Sequence, residues 1–184
     1  MRLTDALLSV TLASASAIDG TGAYGAELKE KFYKPAAEFF WDVVGHKNER
    51  LSTSVHKWNM SLHAELQPYI DARVRTELEL LPHLADLNAK LPAIVDNIQL
   101  AIVRSKPWIQ NQQQCGDARV AVCDLRTQLT FFAEFMANSL MVTNWKADPS
   151  DDVTSKKDEV DAIMARLTRE FEEGECIDGR PANE

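Results

Sequence analysis

The chain is poor in everything that interrupts a helix. Seven glycines and seven prolines are spread through 184 residues, and long stretches between them hold no breaker. No segment of useful length alternates apolar with polar residues, which leaves no strand to pair. No run of about 18 apolar residues occurs, so no membrane-spanning helix is expected. Basic residues are the minority: 20 Lys and Arg stand against 28 Asp and Glu, for a net charge of −8. Binding to a phosphate backbone rests on clustered Lys and Arg, so nucleic acid is not an expected partner. Gly20, Gly22 and Gly25 precede no Lys-Ser or Lys-Thr, which excludes a phosphate loop.

Metal and catalytic constellations are missing too. The four histidines are His46, His56, His63 and His83, and none forms an i, i+4 pair or a Glu-x-x-His step. His56 and His63 share a helix face and read as polar-face residues rather than as a metal or pH site. The acidic pairs Asp151-Asp152 and Glu172-Glu173 read as solvated turn and helix-end charges. No catalytic residue, metal or cofactor is expected, and the chain is read as non-enzymatic.

What is present is apolar periodicity at helical spacing. Residues 18–26 form a glycine-rich lead with none. Glu27 to Tyr33 reads as a helix that stops near Pro35. A long helix is then expected from Pro35 to Leu66, because proline is favoured in a first turn. Phe40, Val44, Leu51, Val55, Trp58, Leu62 and Leu66 mark one face of it, and Gly45 is a candidate bend. After Pro68, Leu80, Leu84, Leu87, Leu91, Ile94, Ile98 and Ala101 alternate in steps of four and three. Leu81, Val95 and Ile102 widen that stripe into a bundle face. Helix is expected over about 69–104, with Pro82 and Pro92 as kinks.

Ser105-Lys106-Pro107-Trp108 reads as the break, and Gln110 to Gln114 as a loop. A third large helix is expected over about 117–144, faced by Val122, Leu125, Leu129, Phe132, Phe135 or Met136, and Leu140. A last one, capped by Thr154 or Ser155, carries Val160, Ile163, Met164, Leu167 and Phe171 and ends at Gly174. The fold class is all-α: a bundle of four to five amphipathic helices with proline kinks.

The first 17 residues read as a signal peptide. Arg2 supplies a positive start, residues 6–12 a short apolar run, and residues 13–17 the small residues that signal peptidase reads. The alternative is the amphipathic first helix of a cytosolic adaptor. The organisation is then a signal over 1–17, a lead over 18–26, a helical domain over 27–176 and a solvated tail over 177–184. In an exported chain, two of Cys115, Cys123 and Cys176 pair and one thiol is left over. Cys115–Cys123 would close a short loop, and Cys123–Cys176 would staple the last helix. Spacing alone does not choose. Asn59-Met60-Ser61 is an N-glycosylation sequon.

Pro35 and Pro68 lie 33 residues apart, three times the eleven-residue repeat that closes on whole helical turns. The first stands in Lys34-Pro35-Ala36-Ala37-Glu38-Phe39-Phe40-Trp41-Asp42, the second in Gln67-Pro68-Tyr69-Ile70-Asp71. This arrangement resembles the exchangeable apolipoproteins, in which a proline precedes an aromatic and Trp-Asp and a Gln-Pro-Tyr segment follows at that interval. The likeness covers residues 28–71; beyond it Pro82, Pro92 and Pro107 keep no such register. It implies a secreted protein whose helices bind phospholipid reversibly and open from a bundle to do so.

Two functions follow from these features. The first is a secreted amphipathic-helix protein that binds lipid or another apolar ligand through Phe39, Phe40, Trp41, Val44, Leu51, Val55, Trp58, Leu62, Leu66 and Tyr69. Such a stripe must be hidden in water by folding or by self-association. The second is a secreted helical module that binds a protein partner and keeps a closed, disulfide-stapled core.

Overall fold

The computed structural model describes residues 23–71, 81–142 and 153–179, and within them the side chains of 30–64, 83–141 and 155–179. The expected signal segment and lead residues 18–22 lie outside the described residues. Five helices make up the fold: α1 (Ala23–Val44), α2 (Leu51–Asp71), α3 (Leu81–Asn111), α4 (Cys115–Val142) and α5 (Val153–Glu170). Among the described residues there is no strand beyond one isolated bridge, Glu173 to Cys176. The all-α class is as the apolar periodicity predicts.

The first helix break falls elsewhere than expected. Helix α1 continues past Pro35, and the chain turns back only at residues 45–50. A proline inside a helix costs one hydrogen bond and crowds the preceding turn. Here Phe32, Tyr33, Ala36, Phe39, Phe40 and Val43 are buried on one stripe that spans the proline. Burying such side chains contributes roughly 1.5–3 kcal/mol each, which outweighs the lost bond. The real stop is a Schellman closure. Lys47 N donates to Asp42 O at 3.0 Å and His46 N to Val43 O at 3.2 Å. His46 takes the left-handed conformation there, φ 48°, a place more often held by glycine. The step of seven between Val44 and Leu51 conceals a turn, so the expected single helix is a hairpin of two.

The second break is displaced in the same way. Helix α3 continues through Pro92 and Pro107 to Asn111. The expected loop over 110–114 shrinks to a tight turn, closed by Gln114 N on Ile109 O with Gln113 left-handed at φ 57°. Ile98, Ile102, Ser105 and Ile109 are all buried, and that continuous stripe carries the helix across Pro107.

Helices α1, α3 and α5 run one way, α2 and α4 the other. Asp42 meets Lys57 and Phe39 stacks on Trp58, which makes α1 and α2 antiparallel. Thr130 meets Asp161, and Arg119 Nε donates to Phe171 O, which does the same for α4 and α5. Lys106 pairs with Glu170 and Asp96 with Arg166, so α3 and α5 are parallel. The packed pairs α1–α2, α2–α4, α4–α3 and α3–α1 close a four-helix ring, and α5 lies in the outer groove between α3 and α4. Phe32 of α1 and Phe132 of α4 stack across the ring at 4.8 Å.

One pole of the ring gathers the ends of all five helices, and there the cystine sits. It joins Cys115, the first residue of α4, to Cys176, just past α5, and leaves Cys123 free and exposed. Neither pairing considered from the spacing forms. Eight residues turn Cys123 onto the solvent face of α4, while Cys115 and Cys176 are buried against the core. Ile177, Asp178 and Gly179 are exposed but tied down. Asp178 Oδ1 accepts from Cys115 N at 2.9 Å, and Gly179 N donates to Gln110 O at 2.8 Å. Asp178 therefore supplies the N-terminal cap that α4 lacks in its own sequence. Asp178→Ala is expected to cost about 1 kcal/mol in urea unfolding, with the cystine intact.

Candidate functional site

The ten residues expected to meet an apolar ligand do not form one surface. Phe39, Phe40, Leu51, Val55, Trp58 and Leu62 are buried in the ring interior. Trp58 is 2% exposed and stacks on Phe39 with ring centroids 5.0 Å apart. The seam read from the sequence is real as a stripe, but α3 and α4 cover it. Trp41 and Val44 are the exceptions, at 39% and 42% exposed. Leu66 and Tyr69 belong to α2, and their side chains lie outside those described.

Above the seam, the Schellman turn builds a polar corner. Asp42 is buried, and its Oδ2 accepts from Lys57 Nζ at 2.9 Å and from Asn48 Nδ2 at 3.4 Å. Lys47 Nζ lies 3.6 Å from Oδ1. Asn48 also donates to the buried Ser54 at 2.9 Å. Ser105 Oγ donates to Ala101 O at 3.0 Å and lies 3.4 Å from Val43 O. The His46 ring stacks on Trp108 at 4.5 Å. Asp42, Asn48, Ser54, Ser105, His46 and Trp108 line a small cleft together with Val43, Arg50, Leu51 and Ile109, with room for about one water molecule. Asp117 of α4 reaches over the start of α2: its Oδ1 accepts from Ser52 Oγ at 2.8 Å and its Oδ2 lies 3.3 Å from Ser52 N. One carboxylate thus serves the positive ends of two helices.

The electrostatics of this corner are structural. The hydrogen bond from Lys57, reinforced by its charge and that of Lys47, holds the Asp42 carboxyl below the usual carboxylate range against the opposing effect of burial. A carboxyl depressed in the folded state contributes stability above its unfolded pKa and loses it as the pH falls through the folded one. Asp42 therefore adds to stability at neutral pH and gives that up below about pH 4. Asp42→Asn is expected to flatten this part of the acid limb of urea unfolding measured from pH 7 to pH 2. An unchanged limb would mean that the pair with Lys57 does not hold in solution. Burial, with a smaller effect from Asp86 of α3, pushes the Tyr33 phenol of α1 far above its ordinary value.

The remaining sequence candidates are scattered. His56 and His63 are exposed on α2, and His83 is half-buried on α3. No group of three His, Cys, Asp or Glu side chains among the described residues is placed to hold a metal ion. Asn59 is half-buried, with its amide oxygen enclosed and unpartnered beside the exposed Met60. The groups that sequence reasoning missed are the corner residues Asp42, Asn48, Ser54 and Asp117. Gly45, the candidate bend, does stand at the turn, and with Asn48-Glu49-Arg50 ahead of an apolar stripe it was the available signal; the continuous periodicity outweighed both. Comparison with protein-family models, with curated proteins and with solved structures returns no match.

Proposed function

We propose that this chain is a secreted, non-enzymatic helical module that binds a protein partner through its surface. The observation that carries this reading is the cystine between Cys115 and Cys176, which staples α4 to the end of α5 over a closed core. Cystines persist in oxidising compartments, which fits the signal-like N-terminus. A closed core leaves the surface as the place where specificity resides.

The lipid reading keeps one specific support. Every described seam residue lies on the α1–α2 hairpin, which the cystine does not tie down. Lipid binding through the seam requires that hairpin to leave α3 and α4. Six core side chains at roughly 1.5–3 kcal/mol each would then meet water before lipid. That is comparable with the whole stability of a domain. The likeness to exchangeable apolipoproteins stands as a proposal beside this cost.

Mixing the exported protein with phosphatidylcholine and phosphatidylserine vesicles separates the two. The module reading expects no blue shift of Trp emission, no clearing of turbidity and one sharp melt that ignores lipid. Clearing with a blue shift would favour the hairpin as a lipid-binding element. Mass spectrometry of the same sample reads the N-terminus and the cystine; an intact Met1 with three free thiols would remove secretion from the account.

A further inference from the structure

We infer that the outward face of α4 pairs with the same face of a second copy of this chain, and that a disulfide from Cys123 to Cys123 closes the pair. This rests on the module reading above and names its surface and its partner. Helix α4 is flanked on two sides and covered inside. Asp117 on one flank accepts from Ser52 of α2. On the other flank Thr130 donates to Asp161 of α5 and Arg119 to Phe171 O. Between the flanks Gly116, Val120, Cys123, Thr127 and Phe131 follow at steps of four, three, four and four, and all five are exposed. Val120 is 61% exposed and Phe131 51%. A side chain at Gly116 would meet nothing within 4 Å. The arc from Gly116 to Phe131 is therefore open and uncharged, with Asp124 and Arg126 at its two edges.

The thiol decides the occupant. Cys115 and Cys176 are joined to each other, so Cys123 is the odd one of three cysteines. In an oxidising compartment an exposed thiol left over pairs between chains. The face is also complementary to itself about that residue. In an antiparallel pair with its two-fold axis at Cys123, residues equally far before and after it meet. Val120, three before, then faces Thr127, four after; Gly116, seven before, faces Phe131, eight after. Each Phe131 ring lies over the bare glycine of the other copy. A parallel pair would instead set Phe131 on Phe131 and Glu134 on Glu134. Helix axes about 8–10 Å apart bring facing Cα atoms to about 5 Å, a span that a disulfide bridges. The overlap is about 24 Å long and one helix wide, well short of the roughly 800 Å² per partner of a stable interface. Packing therefore orients the copies and the bond holds them. An apolar ligand would cover Phe131 but gives the thiol no part.

A small disulfide such as oxidised glutathione serves as oxidant. The Cys123 thiolate of one copy attacks it and releases one glutathione thiolate. The Cys123 thiolate of the other copy attacks the mixed disulfide at the Cys123 sulfur and releases the second. Two protein thiols give up two protons and two electrons, and the glutathione disulfide takes them up as two thiols.

The test incubates the full chain, its cystine intact, with oxidised glutathione and follows mass under non-reducing conditions. The control combines Cys123→Ser with Asp158→Cys, which moves the thiol to an exposed position on α5. A dimer that maps to Cys123 is expected, forming about tenfold faster than that of the control. Phe131→Glu should slow it to the control rate with melting unchanged, since that ring is exposed; Val120→Glu is the second variant if melting falls. The bond joins two folded chains from outside, so Cys123→Ser leaves the urea midpoint in place and is read by mass. A glutathione-capped monomer as sole product, a dimer no faster than the control, or indifference to both glutamate variants overturns the proposal. So does vesicle binding that Phe131→Glu abolishes, which gives the face to lipid. No dimer from a chain that has lost its N-terminal segment and keeps Cys115–Cys176 sinks this face and leaves the module reading standing. An intact Met1 with three free thiols in the exported sample sinks both.

Discussion

Replacing Trp58 by alanine is expected to lower the stability of the fold by about 3–5 kcal/mol, the range for a large aromatic removed from a packed core. Trp58 sits at 2% exposure against Phe39, inside the ring formed by α1 to α4. Trp41→Ala, one helix away and 39% exposed, is expected to cost under about 1 kcal/mol. The contrast separates a core seam from a surface seam. A stripe held ready for lipid would make both substitutions cheap in water and costly in lipid binding. Urea unfolding of the two variants, followed by far-ultraviolet circular dichroism, reads the difference. A cost below about 1 kcal/mol for Trp58→Ala would mean that its surroundings open in solution.

Breaking the cystine is the second large effect. It closes a loop with a sequence separation of 61, and by loop-closure entropy such a link stabilises a domain by about 4 kcal/mol. Cys176→Ser, or a reducing buffer, should therefore remove about that much. It also releases the segment in which Arg119 holds Phe171 O and Asp178 holds Cys115 N. Cys123→Ser should change nothing measurable, since that thiol is exposed and unpaired. If reduction leaves the urea midpoint where it was, the pairing between Cys115 and Cys176 is wrong. If instead Cys123→Ser reproduces the reductant effect, the bond involves Cys123.

Helix content, the faces of α3, α4 and α5, and the buried stripe were legible because burial imposes a period that side chains must follow. Leu125, Leu129, Met136, Val160, Met164 and Leu167 all lie where spacing puts them. Breaks were harder to read. Proline is a weak stop when apolar residues on both sides of it are buried together, as around Pro35 and Pro107. The true stops used His46 and Gln113 in left-handed conformations, which residue type does not announce. The cystine was illegible because its partners are brought together by the docking of α5, a long-range event. The same holds for the Asp117 contact of the corner, since Asp117 of α4 reaches Ser52 of α2 across 65 residues of chain. Trp41 and Trp58 look alike in sequence, and only the return of α2 against α1 buries Trp58 and leaves Trp41 exposed.

The central claim is that the α1–α2 seam is interior and closed. Native-state amide hydrogen exchange tests it directly, on the oxidised chain, with and without phospholipid vesicles. The account predicts that amides around Phe39, Val55 and Trp58 exchange only through global unfolding, at the same free energy as those around Leu125 and Leu129, and that vesicles leave them unchanged. Exchange of the α1–α2 amides through a separate, lower-energy opening, or their loss of protection on adding vesicles, would contradict it.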